Sequence, residues 1–70
     1  MSLKEIMDRH KIKVDDLSYV SKVPRATIVY ISKTNNPKLI QAFKIIDGIN
    51  FLTEDKFKYL VDDLRVANET

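Results

Sequence analysis

The chain has 70 residues, with 12 Lys plus Arg against 10 Asp plus Glu, 44% apolar and 31% charged residues, one Gly and no Cys. That length makes one domain with one modest core, hiding roughly 60% of the unfolded surface and leaving little room for a deep pocket. A formal charge of +2 is too even to announce a nucleic-acid or membrane partner, the missing thiols exclude disulfides and thiolate metal sites, and no apolar run spans a bilayer or forms a signal peptide. A cytoplasmic protein with no membrane partner is expected.

Ser2 and Glu5 form the S-x-x-E pattern that satisfies two orphan amides at a helix start. Leu3, Ile6, Met7 and His10 then repeat at helical spacing, so a first helix runs to about His10 or Lys11. Ile12 sits in a connector. Val14, Leu17 and Val20 give a short second helix, with Asp15 and Asp16 in the first turn, where the helix dipole favours negative charge. It should stop near Ser21 or Lys22, because Pro24 disfavours helix before it and suits the first turn of a third. In that third helix Ile28 and Ile31 face inward, while Arg25, Ala26, Val29, Tyr30 and Lys33 point outward.

Thr34, Asn35, Asn36 and Pro37 break the pattern. Leu39, Ala42, Phe43, Ile46 and Ile49 carry a fourth stripe, with Gly48 the natural end of its helix. Thr53 reads as the next cap. Glu54 and Asp55 follow it, and Phe57, Leu60, Val61 and Leu64 predict a fifth amphipathic helix before a frayed tail over 67–70. The fold class is all-α: a compact bundle of about five short helices in one domain over residues 1–70, its core spanning about 2–66.

Residues 16–28, Asp-Leu-Ser-Tyr-Val-Ser-Lys-Val-Pro-Arg-Ala-Thr-Ile, resemble the "LA…SGVSRSTI" segment of the phage-repressor and Cro-like helix-turn-helix family, also called the XRE family. Asn36-Pro37-Lys38-Leu39 resembles that family's "NPSL" opening of the fourth helix. The resemblance covers roughly residues 3–52 and implies a lambda-repressor-like helix-turn-helix over about 14–33. It further implies that Leu17, Val23, Ile28 and Ile31 hold the two helices together and that Ser18 is the small residue at their close approach. Three positions depart from the pattern, and all three carry Lys. Lys11 and Lys22 stand where the family has Gly at a helix end and in the turn, and Lys13 replaces a capping Ser or Thr.

From Arg9 to Lys44 there are eight basic and two acidic residues, whereas residues 51–70 carry three basic and five acidic. The basic side holds the candidate binding residues: Lys22, Pro24, Arg25, Ala26, Val29, Tyr30, Lys33 and Lys38. Arg25 has the chemistry to fork onto guanine O6 and N7 or to grip phosphate. Ala26 and Val29 suit a thymine methyl or stand as ordinary exposed apolar surface. Tyr30 suits a phosphate or a neighbouring helix, and Lys33 and Lys38 suit phosphates.

His10 reads as a favourable partial charge at a helix C-terminus with no visible partner. The neighbouring carboxylates Glu54-Asp55 and Asp62-Asp63 diverge on a helix and read as solvated. With no nucleophile beside a base, no phosphate loop and no metal set, neither an enzyme nor a cofactor is expected. Phe51, Leu52, Tyr59 and the stripe from Phe57 to Leu64 either fold back on the core or form an interface, including that of a homodimer.

The resemblance implies a small sequence-specific DNA-binding transcriptional regulator that occludes promoters and binds a double-stranded operator through its third helix. The alternative is an antirepressor or antitoxin-like protein using the same surface to block a partner repressor. Outward residues poor in amide side chains and the small net charge keep that alternative open.

Overall fold

The computed structural model describes residues 2–64 and contains, among them, four α-helices, one 3-10 turn and no strand. α1 (Leu3–His10) starts on the capping box expected from the sequence: Glu5 N–H donates to Ser2 Oγ (3.1 Å) and Ser2 N–H to Glu5 Oε1 (2.7 Å). The bond that the Ser2 amide donates to its carboxyl, and after it the Ser2 side chain, hold Glu5 below its ordinary range. α2 (Val14–Ser21), α3 (Arg25–Thr34) and α4 (Leu39–Leu52) follow, and the 3-10 turn spans Val61–Asp63. No helix among the described residues is long and apolar enough to cross a membrane.

The corners between helices are left-handed and are made without glycine. Lys11 (φ 55°), Lys22 (φ 64°) and Asn35 (φ 55°) each follow a helix in the left-handed region, and the Lys22 N–H closes α2 on the Ser18 carbonyl at 2.9 Å. Lysine thus takes the backbone conformation for which the family resemblance implies Gly, at a cost of roughly 1 kcal/mol per position. Lys22→Gly should therefore raise the midpoint of urea unfolding, adding about 1 kcal/mol with an unchanged slope. Lys13, at the N-terminal cap of α2, supplies no side-chain cap bond among the described residues.

Two serines brace the turn between α2 and α3 from opposite sides of one residue. Ser18 Oγ–H donates to the Val23 carbonyl (2.7 Å), and Val23 N–H donates to Ser21 Oγ (3.2 Å). Both polar ends of Val23 are thereby satisfied while its side chain is buried with Leu17, Ile28 and Ile31. The rest of the core comes from Leu3, Ile6 and Met7 of α1, Ala42, Ile45, Ile46 and Ile49 of α4, and Tyr59 and Leu64 beyond it.

α4 departs from its expected form. It does not end at Gly48; it runs on to Leu52, and Gly48 is buried in its middle. A Cβ at Gly48 would lie 3.1 Å from Leu17 Cδ1, Val20 Cγ2 and Ser21 Cβ, so the missing side chain lets α4 lie close against α2. Thr53, expected to open a new helix, closes α4 instead, its hydroxyl donating to the Ile49 carbonyl at 2.9 Å. The buried stripe is also rotated from the one expected. Ile45 is fully buried, whereas Leu39 and Phe43 are 42% and 51% exposed.

The predicted fifth α-helix is absent over the described residues. Glu54, Asp55 and Lys58 take left-handed φ values, Leu60 is exposed, and Phe57 is half-exposed. The physical reason lies at Tyr59, both of whose backbone groups are taken by one side chain. Its N–H donates to Asn50 Oδ1 (2.8 Å) and its carbonyl accepts from Asn50 Nδ2 (2.9 Å), leaving neither for helical bonding. The tail expected to fray over 67–70, and the end of the expected core at 66, lie outside the described residues.

His10 has the partner that the sequence did not reveal. Its Nε2 is 2.7 Å from the Tyr59 hydroxyl, and its ring meets Phe57 edge-on with centroids 4.4 Å apart. Tyr59, read from sequence as a possible interface residue, is buried.

Candidate functional site

α3 is anchored from behind and open in front. Ile28 and Ile31 are at most 1% exposed, whereas Arg25, Ala26, Val29, Tyr30 and Lys33 are all exposed. At about 100° per residue these five fall within an arc of about 140°, opposite the two isoleucines. The separation arises from sequence: isoleucines three apart bury one stripe, and Pro24 at the cap position (φ −55°, ψ 145°) lets the helix start without an orphaned amide there. α3 packs on both α1 and α2.

Arg25 is the first residue of α3 and forms an ion pair across the turn. Its Nη1 donates to Asp15 Oδ1 at 2.8 Å, with both side chains about 70% exposed. The hydrogen bond to Asp15, followed by the attraction of its charge, holds the guanidinium above the usual arginine range. So exposed a pair contributes little to stability. Its effect is directional, since Asp15 at the start of α2 fixes where the Arg25 fork lies. In the sequence Asp15 is legible only as a charge suited to the helix dipole. The pair joins residues ten apart on different helices, which helical spacing does not reveal.

The remaining candidates divide into three places. Ala26 and Tyr30 share a shallow cleft of about 380 Å³ with Thr27, Asn36, Lys38 and Gln41, where α3 meets the start of α4. Lys33 lies beside a separate hollow with Ser32, Met7, Ile12 and Val14, at the far end of α3. Lys22 borders a third with Tyr19, Val20, Asp47 and Phe51. Arg25 and Lys33 thus lie on the exposed α3 face itself, Lys22 lies beside the hollow between α2 and α4, and Lys38 joins Ala26 and Tyr30 in the cleft.

The cleft also holds two polar residues outside the candidate set, Gln41 and Asn36, the latter legible in the sequence only as part of the helix break and of the Asn-Pro-Lys-Leu segment. They supply the amide chemistry that the outward face of α3 lacks, although Gln41 Oε1 already accepts from the Lys38 N–H at 3.4 Å. Among the described residues no three His, Asp or Glu side chains converge to hold a metal ion. Asp63 accepts from the Leu60 N–H (2.8 Å), and Glu54 lies 3.6 Å from Lys56 at the surface.

Comparisons with protein families, with curated proteins and with solved structures find no match to this chain.

Proposed function

We propose that the protein is a small DNA-binding transcriptional regulator of the phage-repressor or Cro-like kind, with α2 and α3 as its helix-turn-helix and α3 as the element that enters the major groove. The observation that carries this reading is the two-sided character of α3, with Ile28 and Ile31 buried behind and Arg25, Val29 and Lys33 presented in front. A groove-reading helix needs its first turn free and its back fixed, so that side chains meet base edges in one register. Arg25 in that first turn is the base reader, Ala26 and Val29 the apolar neighbours suited to a thymine methyl, and Lys22, Lys33 and Lys38 the flanking phosphate contacts. Tyr30, with Lys38 in the cleft beside α4, serves the backbone as well. The chain binds as a non-enzymatic module, without a cofactor, and regulates by occupying promoter DNA.

Ionic strength tests this reading. With Lys22, Arg25, Lys33 and Lys38 on phosphates or bases, the logarithm of affinity should fall by about 3 to 4 per tenfold rise in salt. Fluorescence anisotropy on the DNA flanking the protein's own gene measures that slope. Lys22→Gly, stabilising in the free protein, should flatten it by about 1. A slope near zero would exclude the phosphate contacts.

A second reading rests on the exposed Tyr30 (58%) and Val29 (37%) beside an arginine, a combination suited to the centre of a protein interface. In that case α3 docks on a partner repressor and blocks it, as an antirepressor or antitoxin-like protein would. Salt-insensitive capture of a repressor by the wild type, lost in Tyr30→Ala, is the result that selects it.

A further inference from the structure

α4 has a second face that the fold leaves bare. Ala42, Ile45, Ile46, Gly48 and Ile49 turn inward, and on the opposite side Ile40, Lys44, Asp47 and Phe51 form a strip about 60° wide along the helix. Its two ends are large apolar side chains, Ile40 at 63% and Phe51 at 70% exposure. Phe51 shares a hollow with the exposed Tyr19 and with Val20 and Asp47, and Phe43 shares another with the exposed Leu60 and with Ile46 and Val61. None of the four strip residues lines the cleft between α3 and the start of α4.

The order of the strip carries information about its occupant. Ile40 and Phe51 have the same midpoint, between Ile45 and Ile46, as Lys44 and Asp47. A second copy of the helix laid antiparallel about that midpoint sets apolar against apolar at both ends. It also sets each Lys44 against the Asp47 of the other copy. A parallel copy in the same register would instead set Lys44 on Lys44 and Asp47 on Asp47. Two-fold pairing requires one patch to be complementary to itself, and this strip meets that condition in one direction only.

We propose that the outer face of α4 is a homodimer interface, in which two copies pair antiparallel through Ile40, Lys44, Asp47 and Phe51. Each Ile40 enters the hollow that the other copy builds from Tyr19, Val20 and Phe51. The two pairs of opposite charges set direction and register, and the apolar ends supply most of the affinity.

Sedimentation equilibrium of the full chain without DNA tests the pairing independently of what α3 reads. The wild type should dimerise, and Phe51→Glu, at an exposed position and with its fold checked by circular dichroism, should raise the dimer Kd by at least about tenfold. Lys44→Asp and Asp47→Lys should each weaken pairing about fivefold, because either change alone sets like charges opposite. The two together should restore it to within about twofold, since opposite charges face again. A monomer at every concentration up to about 1 mM would overturn the proposal. So would a dimer indifferent to Phe51→Glu, or a double reversal no tighter than either single one.

Discussion

Gly48→Val is expected to lower the stability of the folded chain by about 3 kcal/mol, because two elements already at their closest approach meet there. A bare Cβ at that point comes within 3.1 Å of Leu17, Val20 and Ser21, three α2 side chains. Valine adds two further methyl groups to the same place. For a domain of this size total stability is on the order of 4–10 kcal/mol, so the loss is a large fraction of it. Thermal unfolding should move down by about 15 °C. Gly48→Ala separates two opposing effects: the better helix former gains about 1 kcal/mol, and the contacts with α2 take back that much or more. A Gly48→Val protein that melts with the wild type would mean that α2 and α4 do not pack in this register.

Arg25→Ala is expected to reduce affinity for the cognate DNA by about tenfold to a hundredfold while leaving affinity for scrambled DNA within a few-fold, as loss of a bidentate base contact should. Arg25→Lys keeps the charge and loses the fork, so it should recover the affinity for scrambled DNA without recovering selectivity. Asp15→Ala tests the positioning. With its partner removed, the guanidinium is free to settle on the nearest phosphate, and selectivity should fall although total affinity rises. Competition binding with labelled cognate and scrambled duplexes measures all three variants. Equal selectivity in Arg25→Ala and wild type would remove Arg25 as the reader.

The first three helices were legible because their information is local. Ser2 with Glu5, the isoleucine pair of α3 and the proline at its start each act within a turn or two of themselves, and the structure shows the elements they imply. The left-handed corners at Lys11 and Lys22 were legible as positions through the family resemblance, although the residues there are not those that favour the conformation. From Gly48 onward the governing interactions are distant in sequence. A glycine in a helix reads as an end when only its own backbone preference is considered, but it reads as a point of close approach once α2 is in place. The spacing of Phe57, Leu60, Val61 and Leu64 suits a helix, yet Asn50 occupies the backbone of Tyr59 and overrides it. The outward face of α3 could be read at the level of residues, whereas its ion pair with Asp15 and its neighbours Asn36 and Gln41 depend on how helices are set against one another.

The Tyr59 clasp joins sequence neighbourhoods that the helices alone keep apart, since its hydroxyl meets His10, 49 positions earlier, while its backbone is held by Asn50. Closing a loop of that length costs more entropy than forming a helical turn, and that entropy is lost before any bond forms. Nascent helices can therefore form and dissolve many times before the clasp engages. Once engaged, it links α1, α4 and the segment beyond them into a cooperative unit, and amides near His10 and Asn50 should resist hydrogen exchange together.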